Sequence, residues 1–149
     1  MNRGVNGIEG SLSTAAGFSL MSAVPVYCVI GDLSFFYDVN ALWHGDLCGN
    51  FRILLLNNGC GGIFRRFRKL EDSPALDGMV MARHNTSAEG ACQQNGVAYR
   101  AVHAAAQLAD GIRWLTHEQC PTPILLEVFT DDEEDQRVYD SVMACGHRR

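Results

Sequence analysis

The chain has no Cys-x-x-Cys pair among its six cysteines, Cys28, Cys48, Cys60, Cys92, Cys120 and Cys145. Its five histidines, His44, His84, His103, His117 and His147, show no ligand spacing on a shared segment. The first absence argues against a paired-thiol redox motif, and the second against a zinc site. The longest apolar runs, Val24 to Ile30 and Ile53 to Leu56, are too short to cross a bilayer, so no membrane segment is expected. No stretch combines the basic start and apolar run of a secretory leader, which leads to an expectation of reduced thiols and a cytoplasmic location. A formal net charge of −5 leaves no broad basic face, so nucleic acid is not expected as a partner. The local basic cluster Arg65-Arg66-Phe67-Arg68-Lys69 reads as a solvated face, with steering of anionic substrates as the alternative. There is no internal repeat and no low-complexity tract.

What remains is enough for a core. At 149 residues and 47% apolar content, one domain spanning 1–149 is expected. Ile8 to Ser22 is rich in small residues, which suggests a helix packed closely on a sheet. Val24 to Ile30 is a continuous apolar run, as in a strand buried on both faces. Ser34 to Trp43 fits a short helix capped by Asp32 or Ser34, and Phe51 to Leu56 a second strand. Helices are expected over Ser87–Asn95 and His103–Glu118, around a strand near Val97–Ala101. Pro123 to Phe129 reads as a further strand and Thr130 to Ala144 as a last helix. This alternation predicts an α/β fold with a doubly wound, mostly parallel sheet and helices on both faces. The run Asp131-Asp132-Glu133-Glu134-Asp135 falls at a helix start, where the dipole favours acidic side chains and no metal is needed.

Ligands of such sheets lie at the carboxyl ends of strands, and two polar segments fall there. Gly31-Asp32-Leu33-Ser34 follows one strand, and Asn57-Asn58-Gly59 follows the next, with Asn58 twenty-six positions after Asp32. An acidic residue, a hydroxyl opening a helix and an amide-bearing turn offer oxygen ligands suited to Mg2+ holding a diphosphate. The plainer alternative makes Asp32 a helix cap and Asn57-Asn58-Gly59 a turn.

Gly31-Asp32, the paired asparagines and the glycines after them resemble the cofactor motif of thiamine-diphosphate enzymes, although Leu33 stands where a third glycine is usual. The string GDLSFFYDVNALW, from Gly31 to Trp43, is similar to the version in the 2-succinyl-5-enolpyruvyl-6-hydroxy-3-cyclohexene-1-carboxylate synthase (MenD) family of menaquinone biosynthesis. Asn2–Gly17, Phe51–Phe64 and His84–Gly96 agree with it. The resemblance implies that Asp32, the Asn58 amide oxygen and the Cys60 backbone carbonyl hold Mg2+, with Mn2+ as a substitute ion. It also implies that Gly31, Leu33 and Ser34 meet the diphosphate of thiamine diphosphate. Asn6, through its carbonyl, and Ile8, as an apolar prop, would hold the rest of that cofactor. Arg3, Ile63, Phe64 and Phe67 would contact substrate.

The same resemblance implies a transferase that decarboxylates 2-oxoglutarate and adds the resulting succinyl unit to isochorismate. It further implies that these residues are the carboxyl-terminal diphosphate-binding domain alone, with the glutamate that activates the cofactor outside them, so no catalytic residue is expected here. The pyrimidine-binding domain of a neighbouring subunit would complete the site, which implies a homo-oligomer and a fragment inactive alone. The alternatives are a domain of an acetohydroxyacid synthase or 2-oxoacid decarboxylase, or a non-catalytic α/β module binding a phosphorylated ligand.

Overall fold

The computed structural model describes residues 7–66 and 73–146. Arg3, Asn6, Phe67, Arg68 and Lys69 therefore lie outside the described residues. The chain divides into two compact units, the first formed by Met1–Asn57 with Ser87–Phe129 and the second by Asn58–Thr86 with Thr130–Arg149.

The first unit is built on four strands: β1 (Val26–Gly31), β2 (Phe51–Asn57), β3 (Ala98–Val102) and β4 (Ile124–Phe129). They lie in the order β1-β2-β4-β3, and every pairing is parallel. Side chains alternate across a strand, so β2 and β4 supply both faces. Ile53, Leu55 and Leu125 join one core with Leu12 and Ala16 of α1 (Ser11–Leu20), Phe35 of α2 (Asp32–Phe36) and Cys92 of α3 (Glu89–Gln94). Leu54, Ile124, Leu126 and Val128 join the opposite core with Ile112 and Leu115 of α4 (Ala105–His117). The α/β fold with helices on both faces of a parallel sheet is thus present.

Three expectations change. β1 is buried on one face only, with Tyr27 and Val29 exposed at 48% and 65%, because it is an edge strand that no described helix covers on its second face. The Ser34–Trp43 helix is broken: α2 stops at Phe36, and a separate 3-10 turn covers Val39–Trp43. The small residues of α1 serve two purposes, since Ala16 and Ser19 are buried whereas Gly17 faces open space.

The break after α2 places Asp38 to complete α1. Gly10, the residue before α1, has no side-chain cap to offer. Buried Asp38 supplies it from a distance, accepting the Ser13 backbone N–H at 2.8 Å and the Ser13 hydroxyl. That satisfies donors a helix start leaves orphaned. On the opposite face, buried Arg52 of β2 donates to the Leu115 and Glu118 carbonyls at the carboxyl end of α4, where a cation is favoured.

The second unit contains a 3-10 turn at Gly62–Arg66, a π-helical turn at Leu76–Val80 and α5 (Asp132–Gly146). Neither turn was anticipated. Its small core is Cys60, Leu76 and Met81, with Phe64 and Val80 against them.

Candidate functional site

In the first unit, β1 and β2 run parallel with Gly31 opposite Leu56, so their carboxyl ends lie side by side. Gly31 is extended (φ −83°, ψ 162°) and occupies the N-cap position of α2, with no side-chain cap bond. Asp32 and Ser34 are therefore not the cap. Asp32 is instead the first helical residue, buried at 4% exposure, and its Oδ1 accepts the Leu33 N–H at 2.7 Å. Leu33 and Ser34 follow, half-buried, in the same turn. Ile8, ahead of α1, is 39% exposed.

The end of β2 is held from below by a carboxylate. Glu127 of β4 is fully buried and accepts hydrogen bonds from Asn57 Nδ2 (2.8 Å), Ser87 Oγ (2.8 Å), Tyr99 Oη (2.6 Å) and the Ala88 N–H (3.2 Å). Burial, followed by the bond to Glu127, pushes the Tyr99 hydroxyl well above its ordinary pKa, so it stays a donor. Sequence reasoning passed over this network, though a lone glutamate inside the apolar run Ile124–Phe129 was its signal. Buried carboxylates persist only when saturated with donors.

Asn58, the next residue in the chain, opens the second unit. Its Nδ2 donates to Asp135 Oδ2 at 3.2 Å, and its Oδ1 accepts the Cys60 N–H at 3.3 Å. Gly59 adopts a left-handed φ of +72°, and a Cβ there would meet the His84 carbonyl oxygen at 2.7 Å. The loop is pinned to residues 81–84 by bonds from His84 N to Gly59 O (2.9 Å) and from Gly61 N to Met81 O (2.7 Å). Cys60, in contrast to Gly59, is not among the described residues with positive φ, so a side chain is tolerated there. Its buried thiol packs with Leu76 and Met81 and also approaches Asn58 Oδ1 at 3.8 Å. A Cβ on Gly62 would come within 3.2 Å of Asp132 Oδ1 and 3.3 Å of Asn58 Nδ2.

The acidic run does more than meet a helix dipole. Asp131 caps α5 through the N–H groups of Glu133 and Glu134 (3.1 and 3.0 Å). Asp132, 8% exposed, accepts from Arg65 Nε at 2.9 Å and from Arg83 at 3.1 Å. Burial alone would raise the Asp132 pKa, but bonds from Arg65, Cys60 and Arg83 outweigh it and hold the carboxyl below its ordinary value. Arg65 also reaches Asp77 at 3.3 Å, so it is a structural partner and not a solvated charge. Of the expected substrate contacts, Ile63 is 52% exposed, whereas Phe64 packs against the Cys60 cluster.

The donor chemistry in each unit fits a hard cation: a buried carboxylate in the first, an amide oxygen and a backbone carbonyl in the second. No cluster of three or more His, Cys, Asp or Glu side chains able to hold a metal occurs among the described residues, and the expected set contains a single carboxylate. No helix among the described residues is long and apolar enough to cross a membrane.

No profile of a known protein family matches the chain. Proteins named 2-succinyl-5-enolpyruvyl-6-hydroxy-3-cyclohexene-1-carboxylate synthase do. Those of Bacteroides fragilis and Phocaeicola vulgatus are each 46% identical, over 92% and 90% of this chain. That of Desulfotalea psychrophila is 43% identical over 87%. The chain spans about a quarter of the length of these relatives, between 24% and 25%. Among solved structures, the thiamine diphosphate-dependent 4-hydroxybenzoylformate decarboxylase of Rhodococcus jostii RHA1 superposes with a TM-score of 0.62 at 26% identity, covering 81% of this chain and 23% of that one. Along the quarter that it matches, the chain belongs to the 2-succinyl-5-enolpyruvyl-6-hydroxy-3-cyclohexene-1-carboxylate synthase (MenD) family.

Proposed function

We propose that residues 1–149 are the diphosphate-binding domain of a cytoplasmic, thiamine-diphosphate-dependent synthase that uses 2-oxoglutarate and isochorismate. The observation that carries this reading is Asp32: buried, at the carboxyl end of β1 beside the end of β2, within a segment shared with the family. In this reading Asp32, Asn58 Oδ1 and the Cys60 carbonyl hold Mg2+, or Mn2+ in its place. Gly31, Leu33 and Ser34 receive the diphosphate.

Ile8, exposed as a contact residue needs to be, supports the cofactor with Asn6, and Arg3, Ile63, Phe64 and Phe67 contact substrate. Arg3 suits this because a guanidinium clasps carboxylates in bidentate fashion, and both substrates carry them. When bound, thiamine diphosphate supplies the carbanion-stabilising chemistry, and these residues supply binding and orientation. The activating glutamate comes from the pyrimidine-binding domain of a neighbouring subunit in a homo-oligomer. The isolated chain is therefore inactive.

The test is complementation with the remaining three quarters of the Bacteroides fragilis synthase. The complex is expected to release CO2 from 2-oxoglutarate in the presence of isochorismate, thiamine diphosphate and Mg2+, while the chain alone releases none. Enzyme-like release by the chain alone contradicts the half-site reading. Turnover of a different 2-oxoacid by the complex favours an acetohydroxyacid synthase or decarboxylase instead.

A further inference from the structure

We infer that Asp135 is a positioning residue that fixes which end of the Asn58 amide faces the metal; this rests on the reading of Asn58 as a Mg2+ ligand. An asparagine amide has an oxygen end that ligates a hard cation and an NH2 end that repels one. The second unit assigns the two ends from both sides. On one side stands Asp135 Oδ2, 3.2 Å from Asn58 Nδ2, and an ionised carboxylate only accepts. On the other stands the Cys60 N–H, 3.3 Å from Asn58 Oδ1, and a backbone N–H only donates. Rotating the amide by half a turn would set oxygen against carboxylate and NH2 against N–H. Both contacts would become repulsive, so one orientation survives.

Asp135 is itself held. Thr130 Oγ1 donates to the same Oδ2 at 2.8 Å, and the Asp135 N–H bonds the Asp131 carbonyl at 2.8 Å as α5 begins. The Asn58 oxygen meets the Cys60 N–H at 3.3 Å and the weak donor Cys60 Sγ at 3.8 Å, two long contacts that leave it able to ligate a cation. Asp135 is thus to Asn58 what a carboxylate behind a metal-bound histidine is to its ring, and loss of such a partner weakens metal binding by roughly tenfold to a hundredfold.

A role confined to the α5 dipole makes the opposite prediction, which separates the two. D135E keeps the charge in the first turn but moves the acceptor by about one methylene, whereas D135N loses the charge but keeps an oxygen in place. Mn2+ binding in the presence of thiamine diphosphate, read by the paramagnetic resonance of free Mn2+ on the complemented complex, gives the affinity. The Asn58 side-chain NH2 resonances of the chain report the hydrogen bond directly. D135A and D135E are expected to weaken Mn2+ binding at least tenfold and to shift the Asn58 NH2 signals, while D135N retains most of the affinity. In an N58A background D135A should add no further loss. Full affinity in D135E with loss in D135N overturns the inference in favour of the dipole, and unchanged affinity in D135A overturns it outright. Absence of Mn2+ binding by the folded parent complex overturns the reading of Asn58 as a ligand, and the inference with it.

Discussion

The Asn57 side-chain amide donates to Glu127 Oε1 at 2.8 Å, tying the carboxyl end of β2 to the middle of β4 through a fully buried carboxylate. Ser87, Ala88 and Tyr99 bond the same carboxylate, so α3 and β3 are anchored there too. Removing Glu127 would cost the buried Asn57 amide and Ala88 N–H this acceptor, each with a desolvation penalty of about 1–3 kcal/mol, while half-buried Ser87 and Tyr99 keep their bond to each other at 3.2 Å. E127A is expected to destabilise the chain by about 3 kcal/mol or more. Urea unfolding checks this, and an unchanged midpoint would mean the network is idle.

Two glycines should respond in opposite directions to the same substitution. At Gly59 the left-handed φ of +72° and the His84 carbonyl oxygen, 2.7 Å from where an alanine methyl would sit, both oppose a side chain. G59A is expected to destabilise by roughly 1–3 kcal/mol. Gly17 lies within α1 facing open space, so G17A should stabilise by about 0.5–1 kcal/mol through helix propensity. Thermal unfolding of both variants measures the contrast.

Cysteine reactivity should follow burial. Burial, with a smaller contribution from Asp38, pushes the Cys28 thiol up to about 11. Burial, with smaller contributions from Glu127 and Glu89, pushes Cys92 up to about 12. Thiolate is the reactive form, so both are expected to resist iodoacetamide at neutral pH in the folded chain. Exposed Cys48 and Cys145 are expected to label first. Mass spectrometry of peptides after brief alkylation reads the order.

Acid should release the Asp132 contacts with Arg65 and Arg83. The folded carboxyl sits below its ordinary value of 3.8, so its contribution to stability is complete above that value and is lost as pH falls through the lower folded pKa. D132N should therefore reduce stability at neutral pH and flatten the acid limb below about pH 4. Acid titration of the unfolding midpoint, parent against variant, shows whether the two curves converge as expected.

The sheet was legible because apolar runs and glycines mark strands and their ends. Phe51–Asn57 and Ile124–Phe129 fall within a residue of expectation. The one-sided burial of β1 was not legible, since the run Val24–Ile30 carries no polar face and its exposure follows from edge position alone. At the candidate site, Asp32 and Asn58 announce themselves by type and spacing. The partners of the paired asparagines do not: Glu127 lies 70 residues from Asn57, and Asp135 77 from Asn58. Within the acidic run, capping by Asp131, ion pairing by Asp132 and amide contact by Asp135 all look alike in sequence. Only the fold separates them.

The most direct measurement is calorimetric titration of thiamine diphosphate, with and without Mg2+, into the chain complemented by the remaining three quarters of a relative. The expected result is binding that requires Mg2+, is abolished by D32A and is strongly weakened by N58A. Absence of binding in a folded complex, or binding that neither substitution changes, would contradict the assignment of this chain as the diphosphate-binding half of the site.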